Sequence, residues 1–179
     1  MTQEYTITVF SEHITGILSR VVSVFTRRHI NIESLTTSQS SIEGIHRFTI
    51  VVVVTEEMVE KLVAQLDKQI DIIKAFYYLP EETVYQEVAL YKVPFSMFCD
   101  GTKVEQLVRA HNARILVIEP EYVVVEKTGH QAETEALLQE FKNLGAIYGF
   151  VRSGRVAIVK PMERLNRYLE SLQQAGVEA

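Results

Sequence analysis

The chain has 179 residues and a formal net charge of -5, with 47% hydrophobic and 23% charged residues. That length allows one large domain or two small ones, and the acidity argues against a nucleic-acid partner, which favours a basic face. The lone cysteine, Cys99, excludes an intrachain disulfide and a cysteine-rich zinc site. The apolar run Phe48 to Val54 is too short for a membrane span. Met1 to Glu4 is polar and runs directly into a strand, unlike a signal peptide, so a cytoplasmic protein is expected.

A β-rich run from Tyr5 to Ser11 enters a polar bend ending in Thr15-Gly16. Ile17, Leu18, Val21, Val22 and Phe25 then recur at helical spacing and predict one apolar stripe. Thr15 is the expected N-cap, and Gly16 clears the backbone where the chain turns into the helix. Arg27, Arg28 and His29 are expected in the last turn, where positive charge suits the dipole. An extended segment begins at Asn31, turns at Ser41 to Gly44, and returns as a β-branched strand from Ile45 to Val54. Thr55 reads as the cap of a second helix, with Val59, Leu62, Val63, Leu66 and Ile70 on its apolar face. A strand from Ile72 to Leu79 ends at Pro80. The order βαββαβ commonly folds as an antiparallel four-stranded sheet covered by two helices.

The second half repeats that order without visible sequence repetition. A strand from Tyr85 to Val93 precedes a short helix carrying Val104, Leu107, Val108 and His111, which follows Asp100-Gly101-Thr102. Strands Ala113 to Ile118 and Tyr122 to Lys127 flank the turn Glu119-Pro120-Glu121. Glu133 to Asn143 is helical, with Gly145 as its C-terminal cap. Strands Ala146 to Arg152 and Arg155 to Lys160 follow. Met162 to Gln174 is expected to be helical, with Leu165, Tyr168, Leu169 and Leu172 apolar.

Glu12-His13-Ile14-Thr15-Gly16-Ile17-Leu18-Ser19-Arg20-Val21, followed by Asn31-Ile32-Glu33-Ser34-Leu35, resembles the start of the ACT domain in the small, regulatory subunit of acetolactate synthase (acetohydroxyacid synthase). Val88 to Val93 and Val151 to Ala157 resemble the strands that begin and end that family's second domain, so the resemblance covers residues 5 to 161. It implies an α+β fold of two ferredoxin-like βαββαβ domains plus a C-terminal helix. The first, an ACT domain at 1–80, would bind the effector and dimerise; the second spans 83–161, and a helical tail of unassigned role spans 162–179.

The residues themselves offer no catalytic set: there is no Gly-rich phosphate loop, no His-Glu-x-x-His and no nucleophile elbow. The five histidines are scattered, without metal-ligand spacing. A free amino acid, however, presents a carboxylate and an ammonium. N–H groups at Gly16, Ile17 and Leu18, at the positive end of a helix, suit the first; the Asn31 carbonyl suits the second. Ile17 and Ile32 would meet its apolar side chain. Gly16 and Asn31 would each be routine alone; with the two placed together in the family pattern, the resemblance implies an effector site of His13, Thr15, Gly16, Ile17, Leu18, Asn31 and Ile32. His13 and Thr15 stand where the family pattern has Asn and Ser.

The resemblance implies that one effector, valine or another branched-chain amino acid, touches two chains of a homodimer. It also implies a catalytic (large) subunit as partner, which would carry the thiamine diphosphate, magnesium and FAD. This chain would hold no cofactor, metal or catalytic residue. A stand-alone amino-acid sensor acting on another enzyme is the alternative. An RNA-binding βαββαβ module is a weaker one, because the strand Ile45 to Val54 lacks the basic and aromatic motif.

Overall fold

The structure is a computed structural model that describes residues 1–99, 103–160, 167, 168, 170 and 171. Its packing divides into two units, Met1–Val84 with the segment from Arg155, and Tyr85–Gly154. In the first, β1 (Gln3–Glu12), α1 (Ile17–Thr26), β2 (Ser34–Gln39), β3 (Ile45–Val54), α2 (Glu56–Leu66) and β4 (Ile72–Tyr78) follow in order. The strands form one antiparallel sheet in the order β2-β3-β1-β4.

The register of β1 on β3 sets Ile7 opposite Ile50 and Val9 opposite Phe48. Because side chains alternate along a strand, these four share one face. Val21, Val24 and Phe25 of α1 and Val59, Leu62 and Leu66 of α2 close over it as a buried core. The alternate face is also largely covered: Thr6, Thr8, Phe10 and Thr49 are buried there.

Part of that cover comes from β9 (Val156–Val159) and the residue before it. The buried Arg155 donates through Nη1 to Glu4 Oε1 at 2.7 Å and to Thr6 Oγ1 at 3.2 Å. Its backbone N–H donates to Ser34 Oγ at 2.9 Å, and Arg47 Nη2 donates to the Ala157 carbonyl at 2.8 Å. Lys160 N–H reaches the Glu82 carbonyl at 2.9 Å. The segment from Arg155 is thus grouped with the first unit, while its strand β9 pairs with β5 (Thr83–Pro94) of the second sheet as expected.

The second unit contains β5 (Thr83–Pro94), α3 (Phe95–Cys99), α4 (Lys103–Ala110), β6 (Arg114–Ile118), β7 (Tyr122–Gly129), α5 (Gln131–Asn143) and β8 (Gly149–Arg152). Its five-stranded sheet repeats the order of the first in β6-β7-β5-β8, and β9 also pairs with β5. Ala89, Tyr91, Val93, Val123, Val125, Leu137 and Phe141 form its core. The Tyr91 hydroxyl donates to the Thr134 carbonyl at 2.6 Å, and burial pushes its pKa upward. The fold is α+β, with two ferredoxin-like layers of sheet and helix.

Local expectations need several corrections. Gly16, not Thr15, is the N-cap of α1, at φ 87°. Arg27 caps the other end and Arg28 and His29 lie beyond the helix. His29 at φ 53° turns the chain left-handed, and His29 and Ile30 N–H close back onto Thr26 and Phe25 carbonyls. Gly145 (φ 65°) and Asn112 (φ 49°) end α5 and α4 in the same way. Leu18 leaves the apolar stripe and is exposed, while Val24 joins the core. Ile70 is exposed beyond the end of α2. Thr55 does cap α2, accepting from Met58 N–H at 3.3 Å.

Of the expected tail helix, Arg167, Tyr168, Glu170 and Ser171 are helical, while Leu165, Leu169 and Leu172 lie outside the described residues. So do Asp100 to Thr102. Among the described residues, no helix is long and apolar enough to cross a membrane.

Candidate functional site at the ends of helix α1

β1 ends at Glu12, where the Glu12 N–H donates to the Asp71 carbonyl at 3.0 Å and the His13 N–H to the Gly44 carbonyl at 3.3 Å. These bonds tie the start of the loop to its neighbours. The chain then turns through Ile14 and Thr15 to Gly16, whose left-handed conformation starts α1. A left-handed backbone is cheap for glycine and costs other residues ~1–2 kcal/mol. A Cβ at Gly16 would meet nothing within 4 Å, so the requirement is conformational, not steric.

The N-terminal end of α1 is chemically bare. Gly16 supplies no capping side chain, and the first turn contains no acid. By position, the N–H groups of Leu18 and Ser19 have no acceptor within the helix, and both residues are exposed. Such an end attracts a carboxylate. Arg20, one turn further on, is already paired with the Asp71 carboxylate.

The structure divides the expected site residues into two groups. His13, Thr15, Gly16, Ile17 and Leu18 lie at the start of α1, whereas Asn31 and Ile32 follow its end. Ten residues of α-helix span about 15 Å, more than one small amino acid bridges. Asn31 is exposed, and Ile32 is half-buried against the core. Ile17 is buried in that core, so its side chain is committed to packing and its N–H, which reaches the Ile14 carbonyl at 3.4 Å, faces the loop.

One neighbour escaped the sequence reading. The imidazole of His46, on β3, stacks on that of His13. The signal lay in strand register: Ser11 pairs with His46, so a residue two positions beyond Ser11 returns to the same side of the sheet. Among the described residues, no three His, Cys, Asp or Glu side chains group so as to hold a metal ion.

Comparison with known proteins covers both units. Residues 7–74 match the family model described as "AHAS small subunit-like ACT domain", and residues 86–161 match the one described as "Small subunit of acetolactate synthase". A probable acetolactate synthase small subunit of Methanothermobacter thermautotrophicus is 34% identical over 152 residues, 85% of this chain and 90% of that protein. The acetolactate synthase small subunit of Bacillus subtilis is 35% identical over 147 residues, 82% of this chain and 84% of its own length. The crystal structure of the small subunit from Thermotoga maritima superposes with a TM-score of 0.80 at 28% identity, covering 88% of this chain and 98% of that one. With family models matching residues 7–74 and 86–161 and most of the length of these relatives covered, the chain belongs to the family of acetolactate synthase small subunits.

Proposed function

We propose that this chain is the non-catalytic regulatory subunit of an acetolactate synthase in branched-chain amino acid biosynthesis. It binds the catalytic subunit, raises its activity and confers feedback inhibition by valine or a related amino acid. Thiamine diphosphate, magnesium and FAD belong to the catalytic partner. The effector's carboxylate lies on the N–H groups at the start of α1, and its ammonium meets Asn31 from a second copy. The ACT unit forms the homodimer that brings the two ends together.

The observation that carries this reading is the bare N-terminal end of α1 at Gly16, with no acid and no capping side chain. The ~15 Å length of α1 supports the two-chain site, because one ligand cannot span from Gly16 to Asn31 within a chain. Coupling between such a site and a partner's active site is typically ~1–3 kcal/mol.

The test is reconstitution with the cognate catalytic subunit. The purified chain alone, with all cofactors supplied, produces no acetolactate from pyruvate; added to the catalytic subunit it raises the rate, and valine, leucine or isoleucine lowers it. Acetolactate from the isolated chain, or no effect on the catalytic subunit, would overturn the reading. Stimulation without any response to these amino acids would remove the effector assignment alone.

A further inference from the structure

The face of the first sheet turned away from α1 and α2 carries a cavity of about 290 Å³, and every residue that lines it belongs to the first unit. Strand register builds its floor. Thr36 of β2 pairs with Thr49 of β3, and Ser38 pairs with Arg47, which Phe10 of β1 meets from the other side. Two neighbouring cross-strand rows therefore set hydroxyls, one guanidinium and one aromatic ring on a single face. Val156, Ala157 and Ile158 bound the cavity from β9. Its volume lies near the lower end of the range for small-molecule sites. The lining residues Ser38, Gln39 and Ser41 are exposed, so it opens to solvent.

The lining specifies the chemistry of a ligand. Among the described residues that line the cavity, Arg47 is the one charged side chain and none is acidic. Its Nη2 donates to the Ala157 carbonyl at 2.8 Å, and its guanidinium carbon lies 5.7 Å from the centre of the Phe10 ring. These contacts fix a positive charge beside the cavity, which favours an anion and disfavours an ammonium. Thr36 Oγ1 is buried and has no hydrogen-bond partner among the described residues. Its hydroxyl can donate to an oxygen acceptor, and a buried polar group left unmet is costly. Phe10, Val156 and Ile158 offer apolar surface to a short hydrocarbon chain. A carboxylate, an adjacent carbonyl oxygen and a short apolar chain, without an ammonium, answer these features together. That is the chemistry of an α-oxo acid.

We propose that this cavity is a second small-molecule site, independent of the start of α1, and that it takes a short-chain α-oxo acid. The probes are α-ketoisovalerate and valine, which share a carbon skeleton and differ in bearing an oxo group or an ammonium beside the carboxylate. Methyl isopropyl ketone, with a methyl group in place of the carboxylate, is the uncharged control. The measurement is titration calorimetry of the full-length chain with each probe at millimolar concentrations, with thermal melts to verify folding. The oxo acid binds the wild type and the ketone does not. Thr36→Val keeps the β-branched shape, removes the hydroxyl, and weakens the oxo acid about fivefold while leaving valine unchanged. Ser38→Phe, at an exposed strand position, narrows the opening and produces a loss in the same direction. Gly16→Asp does the reverse, abolishing valine binding and sparing the oxo acid. A wild type that does not bind the oxo acid would overturn the proposal. So would equal binding of the ketone, or full affinity for the oxo acid in both Thr36→Val and Ser38→Phe. Loss of the oxo acid in Gly16→Asp would overturn it too, by placing that ligand at the start of α1. Valine is read separately, so the failure of either site is told apart from the failure of the other.

Discussion

His13 and His46 stack face to face, with ring centroids 3.8 Å apart and planes 6° from parallel. The stack joins the loop before α1 to β3, alongside the bond from the His13 N–H to the Gly44 carbonyl. It also holds the His13 ring against a neighbour, at a position where the sequence resemblance implies Asn. His13→Asn therefore releases the ring contact and adds a side-chain carbonyl able to accept from an ammonium. One such charge-assisted bond contributes ~1.5 kcal/mol, about tenfold in affinity. Titration calorimetry with valine is expected to show tighter binding for this variant by about that factor; unchanged or weaker binding would mean that His13 does not limit the effector.

Gly16→Asp and Asn31→Ala separate the two halves of the proposed effector site. The Asp carboxylate repels the ligand carboxylate by roughly 4 kcal/mol at ~4 Å and an effective dielectric of about 20, close to 1000-fold in affinity. Gly16→Asn carries the same left-handed backbone cost without the charge, and its smaller loss isolates the electrostatic part. Asn31→Ala removes one acceptor, ~1.5–3 kcal/mol, so high effector concentrations recover inhibition. Stimulation of the catalytic subunit should persist in all three. Full feedback sensitivity in both Gly16→Asp and Asn31→Ala would place the effector elsewhere.

Arg155 joins the C-terminal strand to the first sheet through Glu4, Thr6 and Ser34. Removing one member of a buried ion pair costs ~3–5 kcal/mol. Glu4 stays partly exposed, with 32% of its side chain accessible, which moves the expected cost of Arg155→Met toward ~2–3 kcal/mol. Urea unfolding should show a lower midpoint with an unchanged slope. Wild-type stability would show that the contacts of Arg155 contribute nothing net.

Acid should weaken the second unit through two carboxylates. The Thr128 hydroxyl, together with Arg114, holds Glu126 below its ordinary range despite its burial. The His130 backbone N–H does the same for Glu133, across a 2.7 Å bond at the start of α5. Both folded-state values are depressed, so their stabilisation is complete above the unfolded glutamate value of ~4.3 and is lost as pH falls through the folded values. Melting temperatures from pH 7 to 3 should fall, and Glu133→Gln should flatten that fall. An identical pH dependence in the variant would remove Glu133 from the account.

Much of this molecule is determined by its sequence alone. The strand–turn–helix at Gly16, the β-branched run from Ile45 to Val54 and the Thr55 cap follow from side-chain periodicity and local hydrogen-bonding chemistry, which act over a few residues. The repeated βαββαβ order follows from the same signals. Other features depend on groups distant in the chain, and only the tertiary structure decided them. Arg155 is buried because Glu4, Thr6 and Ser34 offer partners more than a hundred positions away. His13 meets His46 through strand register. Leu18 has the spacing of a core residue yet is exposed, because Ile17, Val21, Val24 and Phe25 make the side of α1 that packs into the core. The run Ile115 to Ile118 has the composition of a buried strand, and its exposure follows from its place at the end of the sheet order. Composition specifies that a segment is apolar; which of its sides is covered depends on what packs beside it.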